Sequence, residues 1–309
     1  MSAKTIRRKY LRDFIGLTKY SQLVSWTIIA AYVGQIIVAV LLGHQLVSMN
    51  ITIASGLLIV VVQTFIATRL RGLNNIGHEC SHASFSRVRE ENERIGKFCA
   101  SLSLGSFFDY RDEHLSHHMY LGDYDKDQDF HGIKKLRLEE PLSRPVVLRH
   151  LLTPFLGRHL PYYTRINLNA RDGRFFQLFK VSLLFCAIAF SVVSPVTGVL
   201  FIIAPYLFFY SALNYWADCL DHAGIVTSTD DLEASRNLVA PKWLRWLFFP
   251  RNDSFHLVHH LFPQVPARHL QSAHELLKQD PEYASHHNAV PRGRVKAFAA
   301  KPKSALARV

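Results

Sequence analysis

Four long apolar stretches divide the chain, and polar segments lie between and after them. The stretches are VSWTIIAAYVGQIIVAVLLG (24–43), ITIASGLLIVVVQTFIATRL (51–70), FFQLFKVSLLFCAIAFSVV (175–193) and TGVLFIIAPYLFFYSALNYWA (197–217). Each has about the 20 residues that an α-helix needs to cross roughly 30 Å of hydrocarbon. The pattern predicts a mainly α-helical integral membrane protein with four transmembrane helices.

The spans come in two pairs, and the basic residues predict how the pairs are oriented. The connecting loops His44–Asn50 and Ser194–Val196 contain no lysine or arginine, whereas the other polar segments are rich in both. Because lysine and arginine accumulate on the cytoplasmic side, two hairpins are expected to enter from the cytoplasm, with both termini facing it. We expect the membrane to be a bacterial inner membrane.

This topology divides the chain into six parts. They are a basic cytosolic N-terminus (1–21), a first transmembrane hairpin (22–69), a cytosolic region (70–173), a second hairpin (174–217), a second cytosolic region (218–284) and a basic tail (285–309).

Composition supports a membrane setting and excludes some other classes. Of the 309 residues, 49% are hydrophobic and only 19% are charged, which is apolar for a soluble enzyme. The formal charge of +12 could indicate nucleic acid, but the chain has no RNP-like pattern, zinc-finger spacing or basic heptad helix. Anionic lipid headgroups are therefore the predicted partner. The four cysteines form no CxxC pair, which argues against a disulfide framework or a thiolate zinc site.

Histidine carries the clearest chemical signal. Three clusters stand out: His78-Glu-Cys-Ser-His82, His114-Leu-Ser-His117-His118 and His256-Leu-Val-His259-His260. Residues three and four apart lie on one face of a helix, so each cluster presents its imidazoles in one direction. Each is a candidate multidentate metal ligand.

The number of histidines narrows the choice of metal. Imidazole suits zinc, copper, nickel and iron, so the residue type alone leaves the metal open. Eight histidines exceed the four ligands of a tetrahedral zinc and suffice for two metals that each keep an open position. Two redox-active metals indicate iron and dioxygen chemistry. The histidines outside the pattern are expected at the surface or at an interface: His44, His131, His150, His159 and His269.

Acidic residues near the clusters are candidates to accept the second ring N–H of ligand histidines and so orient them. They are Glu79, Asp109, Asp112, Glu113 and Asp253.

Other readings of the motifs exist. The first cluster is also H-E-x-x-H, in which two histidines bind zinc and the glutamate activates water, as in a metalloprotease. An intramembrane zinc protease leaves both HxxHH triplets unexplained. A transporter with a structural metal is disfavoured because the chain shows no inverted repeat.

The strings NIGHECSHASF, HLSHHMYLGDYDKDQDF and NDSFHLVHHLFPQVP, placed around two membrane hairpins, resemble the membrane fatty acid desaturase family over about residues 22–270. The resemblance implies four transmembrane helices capped by a cytosolic helical domain with a histidine-rich di-metal site. It also implies two iron ions (Fe2+/Fe3+), O2 as co-substrate, and removal of hydrogens from a C–H pair of an acyl chain carried by a lipid, CoA or carrier protein.

The resemblance further implies the ligand set, which adds one histidine to the three clusters. The implied ligands are His78, His82, His114, His117, His118, His222, His256, His259 and His260. In the family an asparagine four residues before the additional histidine contacts the metal through water, whereas this chain has Asp218 there. Asp218 is therefore a possible ligand or orienting residue, and Asn214 a possible substitute one turn deeper. No catalytic residue beyond these is predicted.

The electrons that O2 reduction needs have to come from another protein. The chain lacks a CxxCH haem motif, an iron–sulfur cysteine set, a GxGxxG fingerprint and the HPGG motif of fused cytochrome b5 domains. A separate ferredoxin, rubredoxin or cytochrome b5 type donor is implied. Hydroxylases and ketolases that act on lipids, carotenoids or small amino-acid-derived molecules share these motifs, so the outcome of the oxidation stays open.

Overall fold

The computed structural model describes residues 3–49, 52–164, 166–228 and 230–287, and it is helical throughout. Within these ranges we find no β-strand, and the bridge between Tyr20 and Ser86 is isolated. The principal helices are α1 (Ala3–Phe14), α2 (Gln22–Ser48), α3 (Ile53–Ser81), α4 (Arg89–Leu102), α5 (Phe107–Tyr120), α6 (Arg144–Leu152), α7 (Arg174–Val193), α8 (Pro195–His222), α9 (Lys242–Phe248), α10 (His256–Leu261), α11 (Leu270–Leu277) and α12 (Pro281–His287). The predicted mainly α-helical class is confirmed.

Shorter turns connect these helices. They are the α-helical turns Leu160–Tyr163 and Asp231–Ala234 and the 3-10 turns His131–Leu136, Pro250–Asn252 and Ala267–His269. Most of the predicted basic tail, from residue 288 onward, lies outside the described residues.

Four helices are long and apolar enough to cross a membrane: α2, α3, α7 and α8. The four predicted spans are therefore confirmed as candidate membrane helices. Large apolar side chains such as Leu57 and Phe185 remain exposed on them, which is expected of surfaces that face lipid rather than water. The loop predicted at His44–Asn50 is wrong in part, because α2 continues through His44 to Ser48.

The third helix joins the apolar layer to the histidine-rich layer. It begins with a capping box, in which Thr52 and Ser55 satisfy each other's backbone N–H groups. Its 29 residues span about 44 Å at 1.5 Å per residue, more than the hydrocarbon thickness. The apolar stretch ends near Leu70, but the helix continues to Ser81. His78 therefore lies on the same continuous helix as the second span.

The last candidate span has an irregular centre. Segments Val199–Ile203 and Pro205–Tyr210 adopt π-helical geometry before regular α-helix resumes at Ser211. Pro205 has no backbone N–H to donate, so the normal hydrogen-bond ladder is interrupted there. The regular final part carries Asn214, Asp218 and His222 toward the histidines.

The N-terminal segment, expected as a basic cytosolic stretch, forms a helix that docks on the last histidine motif. Ile6, Tyr10 and Phe14 are buried in a cluster with side chains of α10 and α11. Arg7 donates from Nη2 to the His260 carbonyl at 2.9 Å and from Nε to the Leu261 carbonyl at 3.0 Å. It thereby satisfies carbonyl groups at the C-terminal end of α10, where positive charge is also favoured by the helix dipole.

Candidate metal centre

Four segments bring the sequence-predicted histidines to one place. His78 lies in the last turn of α3, and His82 follows directly after it. The second motif lies on α5, His222 ends α8, and the third motif forms most of α10. The i, i+3 and i+4 spacing directs the rings of each motif to one side of its helix. All nine histidines converge there, in two adjacent groups.

The first group, here called the five-histidine cluster, takes rings from three motifs. Its members are His78, His82, His114, His118 and His259. The Nε2 atoms of His78 and His259 are 2.8 Å apart, those of His82 and His114 are 2.9 Å apart, and His118 Nε2 lies 3.0 Å from Nε2 of both His114 and His259. The Nε2 atoms thus point at a common centre.

The second group, here called the four-histidine cluster, contains His117, His222, His256 and His260. His256 Nε2 lies 2.8 Å from His222 Nε2 and 3.0 Å from His260 Nε2. Within each group the ligand atoms lie within 4.8 Å of one another. The motifs are interleaved, because neighbouring residues 117 and 118, and likewise 259 and 260, serve different groups.

Protein oxygens orient several rings through the opposite nitrogen. His117 Nδ1 lies 2.8 Å from Asp127 Oδ2, and His222 Nδ1 lies 2.9 Å from the Ala234 carbonyl. A carbonyl only accepts, so His222 carries its proton on Nδ1 and leaves the Nε2 lone pair for the cluster. Asp221 Oδ2 lies 3.7 Å from His256 Nδ1. Such partners fix the tautomer and ring orientation of ligand histidines.

The donor chemistry fits metal ions better than a network of ring-to-ring hydrogen bonds. A neutral Nε2 offers either one N–H or one lone pair, yet Nε2 of His114 and of His259 each contacts two other rings. A shared cation would satisfy every lone pair at once. The ligand atoms of each group lie within 4.8 Å of one another, close enough to share one metal ion.

Burial keeps most of these rings neutral at pH 7. Desolvation lowers the pKa of His114, His118, His256, His259 and His260 well below 6.5, because the charged form loses its hydration. The neutral ring is the form that ligates a metal. Burial also disfavours charge on His117, but its hydrogen bond to Asp127 and that residue's charge raise the His117 pKa overall.

Glu79 and Asp253, two of the acidic candidates for orienting a ligand ring, lie outside both clusters and are held by arginines. Glu79 accepts from Arg251 Nε at 2.7 Å, from Arg251 Nη2 at 3.1 Å and from the Ala267 backbone N–H at 3.2 Å. Asp253 forms an ion pair with Arg71. A glutamate held by arginine through both oxygens is badly placed to activate water, which disfavours the zinc-protease alternative.

Asn214 and Asp218, the two candidates on α8, line a cavity beside the clusters. Asn214 accepts from Arg71 Nη1 at 2.6 Å, and Asp218 accepts from the Tyr163 hydroxyl at 2.6 Å. Asp218 belongs to neither group of converging ligand atoms. Asp109 and Asp112, expected near the rings, instead bind Arg171.

Two other histidines, predicted at the surface or at an interface, are instead buried within the protein. His150 is buried and its Nδ1 lies 2.6 Å from the Tyr215 hydroxyl, while His159 is fully buried and its Nε2 lies 3.0 Å from Ser211 Oγ. Both rings pack against α8. Sequence reasoning also missed Asp127, Asp221 and the Ala234 carbonyl as partners of ligand rings. The aspartates at alternate positions from 123 to 129 could have indicated Asp127 as a partner. No sequence pattern indicates that a particular backbone carbonyl, such as that of Ala234, will accept from a ligand ring.

A cavity of about 370 Å³ opens beside both clusters. His78 and His114 of the five-histidine cluster line it, together with His222 and His256 of the four-histidine cluster. Asp218, Asn214 and Tyr163 also lie on its wall. A molecule bound there would be in reach of both metal positions.

Known proteins with similar sequences are desaturases. A family model described as fatty acid desaturase matches residues 52–291. The chain is 26% identical over 234 residues to the dihydrorhizobitoxine desaturase of Bradyrhizobium elkanii, covering 69% of this chain and 66% of that protein. It is 24% identical over 242 residues to an sn-1 oleoyl-lipid 12-desaturase of Anabaena variabilis (74% and 58%) and 25% identical over 232 residues to a chloroplastic omega-3 fatty acid desaturase of Glycine max (66% and 50%). The chain thus spans a half to about two thirds of the length of these relatives.

Proposed function

The chain belongs to the fatty acid desaturase family, and from that premise we propose that it is a membrane oxidoreductase that uses O2 and two iron ions to introduce a double bond into an aliphatic substrate. The observation that carries the proposal is the convergence of nine histidines into two clusters beside one cavity. The relatives are named as desaturases of different substrates, an oleoyl lipid and dihydrorhizobitoxine. Their names therefore support desaturation as the reaction but do not favour one particular substrate.

The proposed membrane arrangement follows the charge distribution. The two pairs of candidate spans form hairpins, and the polar segments 1–21, 70–173 and 218–284 share the cytoplasmic face of a bacterial inner membrane, with both termini on that face. The distribution of lysine and arginine supports this orientation, and the clustering of the ligand histidines supports placing those segments on one side.

The histidine clusters would hold the metals, and other residues of the chain would hold the histidines. His78, His82, His114, His118 and His259 form one proposed site, and His117, His222, His256 and His260 form the other. When bound, two iron ions would supply O2 activation and the power to oxidise an unactivated C–H bond. Asp127 and the Ala234 carbonyl keep the His117 and His222 rings aimed, and the surrounding protein limits the entry of water.

The reaction balances when a separate electron carrier takes part. The substrate loses two hydrogen atoms from neighbouring carbons, the carrier donates two electrons, two protons come from solvent, and O2 leaves as two water molecules. The sequence supplies no haem, flavin or iron–sulfur motif of its own. The proposed partner is therefore a ferredoxin, rubredoxin or cytochrome b5 type donor.

Product analysis in cells tests the proposal. Lipid and water-soluble extracts of cells that express the wild type are compared with those of His118→Ala, and His131→Ala is the control because His131 is an exposed histidine outside both clusters. We expect a product two hydrogens lighter in the wild type and the control but not in His118→Ala. A product that gains one oxygen would identify a hydroxylase instead, and loss of the product in His131→Ala alone would contradict the assigned site.

A further inference from the structure

The turn Asp231–Ala234 serves the four-histidine cluster although it contains no histidine. Its last carbonyl, that of Ala234, lies 2.9 Å from His222 Nδ1 and orients that ring. Two more rings of the cluster, those of His256 and His260, come from α10. Three of the four rings therefore depend on where α10 and this turn lie relative to each other.

Arg7 of α1 contacts both segments with one guanidinium group. Its Nε and Nη2 atoms donate to the carbonyls of Leu261 and His260 at the end of α10, and Nη2 also pairs with the Asp231 carboxylate at the start of the turn. A guanidinium group carries five N–H donors in a fixed planar arrangement, so it can bridge acceptors at defined positions. Arg7 thus joins the two segments directly.

Contacts around Arg7 connect the same three segments. The Ala3 backbone N–H lies 3.1 and 3.2 Å from the two carboxylate oxygens of Asp230, which also accepts from the Leu232 N–H at 3.0 Å and so caps the turn. On the apolar side, Ile6, Leu232 and Leu257 are buried in one cluster. Polar and apolar contacts therefore both hold the turn against α1 and α10.

The five-histidine cluster depends less on these segments. His259 is its one ring from α10, and the other four rings come from α3, the residue after it, and α5. A metal site needs its ligand atoms within roughly 0.5 Å of the working geometry. A small displacement of α10 relative to the turn would therefore disturb the four-histidine cluster more than the five-histidine cluster.

We propose that Arg7 is a positioning residue for the metal site of the four-histidine cluster, because it fixes α10 against the turn Asp231–Ala234. This inference rests on the proposed function, since it concerns residues that would hold a metal. Arg7 acts through the two segments rather than by contact with the reacting atoms. Its guanidinium sets the distance between the carbonyl that orients His222 and the helix that carries His256 and His260.

Removal of iron from the purified protein tests the assignment. A chelator is titrated against the iron-loaded protein, and the iron that each variant retains is measured. Arg7→Met keeps the apolar stem of the side chain but removes its charge and all its donors. We expect the iron affinity of the four-histidine cluster to fall by about tenfold, at the lower end of the loss caused by removing a group that orients a ligand.

Lys9→Met is the matched control. Lys9 Nζ lies 2.6 Å from Asp280 Oδ2, so this change also removes an ion pair that docks α1 on the protein. Asp280 belongs to neither α10 nor the turn Asp231–Ala234. Lys9→Met should therefore keep the wild-type iron affinity. An equal loss in the two variants would show that any loosening of α1 has the same effect, and it would overturn the assignment.

Arg7→Lys separates the bridge from the charge. Lysine keeps a positive charge near the end of α10, but its single ammonium group lacks the planar fork that reaches several acceptors at fixed positions. The iron affinity should therefore recover only in part. Full recovery would show that charge alone suffices, and the bridging role would be wrong.

The variant His256→Ala identifies the affected cluster, because iron should then remain in the five-histidine cluster alone. Adding Arg7→Met to His256→Ala should leave the affinity for the remaining iron unchanged. An equal loss of affinity in this background contradicts the inference, and so does wild-type affinity in Arg7→Met itself.

The proposed function can fail separately from this inference. If the wild type and Arg7→Met hold two irons with the same affinity, the positioning role is excluded and the desaturase proposal stands. If Arg7→Met weakens the four-histidine cluster as expected but cells form no product two hydrogens lighter, the positioning role stands and the desaturase proposal fails. A wild-type protein that binds no iron in the four-histidine cluster contradicts both.

Discussion

In the four-histidine cluster, His117 Nδ1 and His222 Nδ1 each lie within hydrogen-bond distance of a protein oxygen, and Asp221 Oδ2 is 3.7 Å from His256 Nδ1. His117, His222 and His260 are buried. In the five-histidine cluster, Asp129 Oδ2 lies 3.9 Å from His114 Nδ1, and the buried rings are His114 and His259. The four-histidine cluster therefore has two rings, those of His117 and His222, that are oriented by hydrogen bonds of their own. The five-histidine cluster relies on an additional ring and on the helices that carry the rings.

The helix that carries His78 and His82 is held from outside the five-histidine cluster. Glu79 on α3 pairs with Arg251, and Asn75 Nδ2 donates to the Pro250 carbonyl at 2.8 Å. Both contacts attach the end of α3 to the turn just before α10. Hydrogen bonds to single rings orient His117 and His222 in the four-histidine cluster, whereas contacts of the α3 helix position His78 and His82 in the five-histidine cluster. Four variants distinguish these two ways of positioning the ligands.

The largest effect is expected when the four-histidine cluster loses a ligand. His256→Ala leaves three rings and removes the one whose Nε2 contacts both His222 and His260. We expect metal affinity at that site to fall by more than about a hundredfold, beyond the loss typical of an orienting partner. Bound iron should drop from two to one per chain, with no product. Retention of two irons would contradict the assigned ligand set.

The next effect concerns the fold around the five-histidine cluster. Glu79→Gln breaks a pair in which Glu79 and Arg251 are 6% and 11% exposed, and it leaves a buried guanidinium without its counter-charge. Removing one partner of a buried pair costs about 3–5 kcal/mol, to be measured as the change in the free energy of unfolding.

The matched control for this change is Glu93→Gln, in which the surface pair with Lys97 is lost. Exposed pairs contribute about 0–1 kcal/mol. A Glu79→Gln protein as stable as Glu93→Gln would refute the view that this pair holds α3 in place.

A smaller effect is expected from the partner of a single ring. Asp127→Asn retains a hydrogen-bond acceptor but removes the charge that supports His117, which should reduce metal affinity at the four-histidine cluster by about 10–100-fold. Loss of Asp127 should also lower the His117 pKa, because the charge that raises it is gone. Chelator competition measures the affinity, and Asp125→Asn, at an exposed position, should leave it unchanged.

The smallest effect is expected from the loss of one ring of five. His82→Ala leaves four rings around the same centre, as many as the other cluster has. Metal affinity there should fall by less than about tenfold, below the loss expected at an orienting residue. Complete loss of that metal would show that the additional ring does not provide redundancy, and the contrast between the clusters would be wrong.

The grouping of histidines within each motif follows from local helix geometry. Histidines three and four apart lie on one helix face whatever the rest of the fold does, so HLSHH and HLVHH could be identified without a structure. The ends of the spans were less predictable, because α3 continues to Ser81 past the point where its residues become polar. A change from apolar to polar side chains marks where a helix leaves the lipid, but it does not mark where the helix ends.

Long-range contacts account for what was missed. The Glu79–Arg251 pair joins residues 172 positions apart, and Arg7 reaches a carbonyl 253 positions away. Spacing rules say nothing about such pairs, and neither residue has a local motif that indicates its partner. The same holds for His150 and His159, which belong to no motif and are predicted at the surface or at an interface, but which pack against α8.

Metal content tests most directly whether the two histidine clusters hold two iron ions. The protein is purified without added metal under anaerobic conditions, and iron and zinc are quantified per chain in the wild type and in His256→Ala. We expect two irons per chain in the wild type and one in His256→Ala. One zinc per chain in the wild type, with no iron, would contradict this expectation.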